Sequence, residues 1–310
     1  MRKIILDLDT GIDDALALAL AVAHEDLELI GVLGTYGNVE VEVGVRNTLA
    51  LLDLLGCDDV PVFVGLQRPG FAVSAASAGI HGANGLGGVE LPAPSRQAQP
   101  EPAVDFLVRM AHRHQESGDI VFVPTGPSTT LARALGRDPA VASLPVVMMG
   151  GALTVPGNVT AWSEANVSQD PAATDAVVRG CRDLTMVGLD VTLQTLLTRE
   201  TTRAWRAAGT AAGVAYADMV DFYLDAYAKN SPHLGGCGLH DPLAVAVAAE
   251  PDLVGCRRMP LKVDVDGPTI GRTIGDESRI GEDAGVAVAL DVDADRFVDG
   301  FCQRLARVLA

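Results

Sequence analysis

Residues 4–15 read Ile4-Ile5-Leu6-Asp7-Leu8-Asp9-Thr10-Gly11-Ile12-Asp13-Asp14-Ala15, with four carboxylates within eight residues directly behind a short apolar run. A β-like run, a glycine turn and a helix-period segment together open a βα unit, and in an open α/β sheet ligands bind beyond the carboxyl ends of the strands. Period-2 alternation sets Asp7 and Asp9 on one side of the strand. Gly11 permits a tight turn, after which Asp13 and Asp14 enter the helix. Carboxylates this close repel and raise one another's pKa unless a cation lies among them. All-oxygen donors with no Cys or His nearby select a hard ion, Ca²⁺ or Mg²⁺, over zinc. An isolated Asp-Asp pair would be read as a response to the helix dipole alone; four acids in this spacing point to a metal.

Outward from this stretch, β-like apolar runs alternate with helix-period segments: 4–6 then 13–24, 29–33 then 41–55, 60–64 then 104–112, 120–123 then 129–135, 144–149, and 171–179 before 184–187. A longer helical region follows at 214–227. The rhythm predicts an α/β fold, a mostly parallel, Rossmann-like open sheet with helices on both faces. Asp241-Pro242 predicts a helix running to Ala249, with Asp241 as its cap and Pro242 in the first helical position. Runs at 261–265, 270–274 and 286–290 predict a late β region, closed by a helix over 295–309. The polar, proline-rich segment 91–102 reads as a surface loop because the same rhythm continues on both sides. The expectation is one domain over residues 1–310. The glycine-rich stretch 79–88 lacks the spacing of phosphate-binding loops.

The chain has 310 residues, 48% of them hydrophobic and 20% charged, enough apolar surface for a large core. Lys+Arg of 23 against Asp+Glu of 40 leaves a net charge of −17. Such a charge repels phosphate backbones and anionic lipid, so neither nucleic acid nor a membrane is expected as a partner. Five cysteines, Cys57, Cys181, Cys237, Cys256 and Cys302, are scattered without a CxxC pair and fit a reducing compartment. Met1-Arg2-Lys3 leads straight into the first strand, and the longest apolar run, 15–23, is too short to cross a bilayer. A cytoplasmic location is expected.

Asp7, Asp9, Gly11, Asp13, Asp14, Ala15 and Ala17 match DxDxGxDDAxA, and the chain thereby resembles the inosine-uridine nucleoside hydrolase family. Further stretches follow in that family's order: Tyr36-Gly37-Asn38, Ile80-His81-Gly82, Val123-Pro124-Thr125-Gly126-Pro127, Met148-Met149-Gly150-Gly151, Gly157-Asn158, Glu164-Ala165-Asn166, Asp170-Pro171, Gly188-Leu189-Asp190-Val191-Thr192 and His240-Asp241-Pro242. The resemblance covers nearly the whole chain. It implies a Ca²⁺-dependent enzyme that hydrolyses the N-glycosidic bond of ribonucleosides to ribose and free base, and a homo-oligomer, dimer or tetramer. It implies that Asp9, Asp14, Asp241 and the Thr125 carbonyl hold calcium, with Asp7 supporting the cage.

On that resemblance Asp9 takes the proton of the attacking water, which the cation acidifies, and Asn38 orients the water. The oxocarbenium-like transition state calls for carboxylates around the sugar, a role that suits Asp13 and Glu164. Asp13 and Asn166 would grip the 2′- and 3′-hydroxyls, Asn158 and Glu164 the 5′-hydroxyl, and Met149 would pack beneath the ribose. The leaving base must be protonated or hydrogen-bonded, which suits His240, with His81, in a glycine-flanked segment taken as flexible, as a second candidate for base contact. Tyr223, Tyr227 and His233 flank a glycine-rich stretch, 233–238, that reads either as a lid over the base or, for the i,i+4 tyrosines, as simple packing.

The chain departs from the family pattern at Thr10, Thr130, Ala165 and Leu193, where Pro, Asn, Phe and His are usual; Ala165 reshapes the pocket at the sugar's 5′ end. Two other readings were weighed. A haloacid dehalogenase-type Mg²⁺ phosphatase shares the strand-borne Asp-x-Asp, but it needs a downstream lysine and leaves Asp13-Asp14 and His240-Asp241-Pro242 unexplained. A calcium-dependent nucleoside-binding protein without turnover is the other, and the presence of Asp9, Asn38 and His240 gives no reason to choose it.

Overall fold

The computed structural model describes residues 1–281 and 285–309. The opening stretch forms strand β1 (Arg2–Leu8) and helix α1 (Ile12–Ala23). There follow β2 (Leu27–Gly34), α2 (Val41–Leu54), β3 (Val62–Val64), α3 (Ala75–His81), α4 (Ala103–Ser117), β4 (Ile120–Pro124), α5 (Thr129–Arg137), β5 (Val146–Met149), α6 (Ala165–Gln169), α7 (Pro171–Gly180) and β6 (Leu184–Val187). The second half comprises α8 (Leu189–Thr192), β7 (Leu196–Leu197), α9 (Arg199–Ala208), α10 (Ala211–Asn230), β8 (Cys237–Gly238), α11 (His240–Ala249), β9 (Val254–Met259), β10 (Leu261–Val263), β11 (Thr273–Gly275), β12 (Val286–Val292) and α12 (Ala294–Leu309).

Eight strands form the central sheet in the order β3-β2-β1-β4-β5-β6-β12-β9, parallel except for β9, which runs antiparallel to β12. The chain winds outward from β1 through β2 to β3, then restarts at β4 on the other side of β1. The strand order therefore reverses between β1 and β4, the position at which open α/β sheets form their ligand crevice. Asp9 and Thr125 lie just past the ends of these two strands.

Two hydrophobic clusters cover the two faces of the sheet. On one face lie α1 and α11, both apolar all round, with Ile12 to Ala21 and His240 to Ala248 buried throughout. A helix with no polar face belongs inside a core, and alanines at 15, 17, 19, 21, 244, 246 and 248 let these two helices pack closely. Each fully buried leucine, such as Leu16 or Leu243, contributes on the order of 1.5–3 kcal/mol of apolar transfer free energy. The acids in their first turns are thus fixed by a rigid, dry scaffold.

The late β region divides in two. β10 and β11 form a separate antiparallel pair, whereas β12 and β9 extend the main sheet. The strand expected at 270–274 begins only at Thr273, because Gly271 has φ +82 and turns the chain there. Strand β9 escaped the sequence reading: Gly255 to Arg258 are exposed on a sheet edge, so no apolar alternation marks them. Helices α3 and α9 were likewise not expected. The segment 91–102 is irregular surface chain, as expected. Among the described residues no helix is long and apolar enough to cross a membrane.

Candidate active site

The acids converge from three places. β1 and the turn after it carry Asp7 and Asp9, the first turn of α1 carries Asp13 and Asp14, and the first turn of α11 carries Asp241. All five are at most 7% exposed. Asp13, Asp14 and Asp241 each bring a carboxylate oxygen within 4.8 Å of the others. Asp14 is held on three sides: Oδ2 accepts the Gly11 backbone N–H at 2.8 Å and Asn38 Nδ2 at 3.2 Å, and Oδ1 accepts the Thr125 hydroxyl at 2.8 Å. Asp9 Oδ2 accepts the Asn38 backbone N–H at 2.7 Å. Asn38 therefore links Asp9 to Asp14.

Glycine is required at the two tightest points of this cradle. A Cβ on Gly11 would lie 2.6 Å from both Asn38 Nδ2 and His81 Nδ1. Gly37 has φ +152, and a Cβ there would fall 2.0 Å from Asp9 Oδ2.

Burial dominates the electrostatics. It pushes the Asp7 carboxyl up to about 8 and those of Asp13 and Asp14 to about 6, with Asp9 and Asp241 raised well above the ordinary range. Neighbouring carboxylates raise Asp7, Asp9, Asp14 and Asp241 further. Both oxygens of Asp7, Oδ1 of Asp9 and Oδ1 of Asp13 are buried without a hydrogen-bond partner among the described residues. A chain that buries unpartnered acid oxygens at this density has a donor set fit for a hard cation, which would satisfy the oxygens and offset their repulsion.

Around the acids lie the other residues singled out in the sequence. Asn166 Nδ2 donates to the Thr125 carbonyl at 2.6 Å and lies 3.3 Å from both the carbonyl and the sulfur of the buried Met149. Glu164 caps α6, its carboxylate accepting the backbone N–H groups of Gly151, Asn166 and Val167 at 2.9 to 3.1 Å. Burial raises its pKa against those three bonds. Asn158 stands on the exposed loop before α6, and its Oδ1 accepts the Ala165 N–H at 3.0 Å.

Two sequence expectations are corrected here. His81 is not in a flexible segment: it ends α3, is 7% exposed, and its Nδ1 accepts the Ile12 N–H at 3.2 Å, which leaves the ring proton on Nε2. Asp241 is not a helix cap: α11 begins at His240 with Leu239 before it, and Asp241 sits inside the first turn. The tyrosines of α10 pack edge to face, ring centroids 4.9 Å apart, and also bond into the site: Tyr223 Oη donates to Asp13 Oδ2 at 3.3 Å and Tyr227 Oη lies 2.6 Å from His240 Nε2. The other nitrogen of His240 lies 2.7 Å from the Thr192 hydroxyl. Burial pushes the His81 and His240 imidazoles down to about 4, so both rings are neutral at pH 7. Both ring nitrogens of His240 are thus engaged, one by Tyr227 and one by Thr192.

The cradle thus lies where the strand order of a doubly wound α/β protein reverses, beyond the carboxyl ends of β1 and β4, the place at which such sheets bind their ligands. The model of the inosine-uridine preferring nucleoside hydrolases matches residues 4–299, and the chain belongs to that family. It is an N-ribohydrolase. A solved purine-preferring ribonucleoside hydrolase from Gardnerella vaginalis is 51% identical, with 99% of each chain covered and a TM-score of 0.96. Uridine nucleosidase 1 of Arabidopsis thaliana is 34% identical over 89% of this chain and 82% of its own length. The pyrimidine-specific ribonucleoside hydrolase RihB of Escherichia coli is 34% identical over 96% of this chain and 94% of its own.

Proposed function

We propose that the chain hydrolyses the N-glycosidic bond of ribonucleosides in a Ca²⁺-dependent reaction, with purine nucleosides preferred. The observation that carries the metal requirement is the set of buried, unpartnered acid oxygens on Asp7, Asp9 and Asp13 beside the Asp13, Asp14 and Asp241 group. Asp9, Asp14, Asp241 and the Thr125 carbonyl would hold the ion, with Asp7 behind them. When bound, such a cation supplies acidification of a neighbouring water and charge balance for the acids. Magnesium prefers a tighter, more hydrated octahedron, and this crowded carboxylate set suits the larger ion better.

In this reading Asp9 accepts the water's proton, since its Oδ1 has no hydrogen-bond partner among the described residues while Asn38 fixes Oδ2. Asp13, held by Tyr223, faces the ribose, and its negative charge favours the oxocarbenium-like transition state. Asn166 and Asp13 bind the 2′- and 3′-hydroxyls, and Met149 lies beneath the sugar. Glu164 contributes field more than contact, because three backbone N–H groups already occupy its oxygens. Asn158, on the exposed loop, serves the 5′-hydroxyl. Tyr227, backed by His240, and His81, through Nε2, serve the leaving base.

The purine preference is supported by the 51% identity to a purine-preferring enzyme, against 34% to relatives named for uridine or pyrimidines. The test is ribose release from inosine, guanosine, adenosine, uridine and cytidine, with calcium and with a chelator. Chelator-sensitive release led by the purines is expected. Faster release from uridine or cytidine would overturn the preference, and chelator-insensitive release the metal requirement.

A further inference from the structure

Thr192 ends α8 within the Gly188-Leu189-Asp190-Val191-Thr192 stretch, and the proposed chemistry gives it no role. It is completely buried. The one hydrogen-bond partner of its hydroxyl among the described residues is His240 Nδ1, at 2.7 Å. The opposite ring nitrogen, Nε2, lies 2.6 Å from Tyr227 Oη.

These contacts admit two proton arrangements along the line. If Nδ1 carried the ring proton and donated to Thr192, the threonine hydrogen would be a buried donor with no acceptor. If Thr192 donates to Nδ1, only a spare lone pair on its oxygen is left over. Unmet donors are the rarer and costlier defect in protein interiors. The second arrangement puts the ring proton on Nε2, from which it points at Tyr227 Oη. That oxygen then receives the Nε2–H, and its own hydrogen is turned away from His240. Tyr223 Oη gives its own hydrogen to Asp13.

We propose that Thr192 is a positioning residue for the leaving-base side of the site: its hydroxyl donates to His240 Nδ1, fixes the ring proton on Nε2, and so leaves the Tyr227 hydroxyl hydrogen free to point at the base. The inference rests on the reading of Tyr227 and His240 as the groups that serve the base. The chain of donors runs in one direction, from Thr192 through His240 to Tyr227. A developing negative charge on the base meets a phenol whose oxygen is already held by the His240 Nε2–H. The backbone reinforces the alignment, since the Leu239 N–H bonds to the Thr195 carbonyl at 2.9 Å and ties the start of α11 to the turn after Thr192.

The experiment uses the full calcium-loaded chain and has two readouts. Nitrogen NMR of histidine-labelled protein, with the His240 signal assigned by its loss in His240→Gln, identifies which ring nitrogen carries the proton. Steady-state ribose release from inosine is measured in parallel for wild type, Thr192→Val and Thr192→Ser. The expected result is a proton on Nε2 in the wild type, kcat lowered about 10- to 100-fold in Thr192→Val with KM little changed, and recovery of most of the rate in Thr192→Ser. A ring proton on Nδ1 in the wild type, or a Thr192→Val variant with wild-type kcat, would overturn the proposal. Absence of ribose release from every nucleoside by the wild type would instead strike at the hydrolase reading, while the spectrum would still decide the direction of the Thr192 bond.

Discussion

Replacing Gly11 by alanine tests how tightly the cradle is built. The backbone at Gly11, φ −90 and ψ −164, is one that alanine adopts without strain, so any cost is steric. The added carbon would sit 2.6 Å from Asn38 Nδ2 and from His81 Nδ1, and each must retreat by about 1 Å to regain a contact near 3.5 Å. That movement lengthens the 3.2 Å bond from Asn38 to Asp14 and the 3.2 Å bond from the Ile12 N–H to His81. Two buried hydrogen bonds at about 1 kcal/mol each give a destabilisation of about 2 kcal/mol, or a fall in Tm of about 3–4 °C for a chain of this size. A displacement of this order in groups around the reacting centre costs roughly 100-fold in rate. Thermal unfolding and ribose release from inosine, both with calcium, measure the two effects. Gly136→Ala in α5, where nothing lies within 4 Å, serves as the control and should gain about 0.5–1 kcal/mol. A Gly11→Ala variant matching the wild type in Tm and kcat would refute the packing argument.

Other consequences follow from the same geometry. Calcium at about 100 times its Kd should stabilise the wild type by about 2.7 kcal/mol, and Asp241→Asn should lose that increment; differential scanning calorimetry with and without the ion reads both. Tyr227→Phe keeps the ring and removes the hydroxyl that faces His240, so kcat for inosine should fall at least about 10-fold while calcium affinity is unchanged, as measured by steady-state kinetics and calcium titration. At the far ends of α1, α11 and α12, Arg304 bonds to Glu25 and Glu250 and holds the Glu25 carboxyl down at about 2. A depressed carboxyl stabilises the fold above its unfolded pKa, near 4.3, and that contribution disappears as pH falls toward 2. The pair is half exposed, so the unfolding free energies of Arg304→Ala and wild type from urea melts should differ by under about 1 kcal/mol at pH 6 and converge only as pH falls through about 2.

The sheet and the acid cradle were legible because their signals are local. The Asp7-to-Asp14 stretch contains a strand, a glycine turn and a helix start in sequence order, and the structure places β1 and α1 within a residue or two of that reading. His81 was misjudged because Gly79 and Gly82 look like breakers and α3 has no apolar stripe; its one local signal is Ser74, whose hydroxyl caps the helix at Ser77. Asp241 was misjudged because Pro242 suggested the first helical position, yet a proline in the third costs nothing where backbone N–H groups have no partner anyway. The i,i+4 spacing of Tyr223 and Tyr227 is visible in the sequence. Their partners, Asp13 and His240, are brought to them only by the packing of α10 against the site, which no local pattern encodes. The same holds for Glu164, whose oxygens are consumed by Gly151 as well as by its own helix.

The most direct test is ribose release from inosine by the calcium-loaded wild type beside Asp9→Asn at saturating calcium, which keeps the Asn38 loop partner but removes the proton acceptor and one charged ligand of the ion. The account predicts hydrolysis by the wild type and a loss of roughly 100-fold or more in kcat for the variant. No ribose from the wild type, or a variant as fast as it, would contradict the central claim.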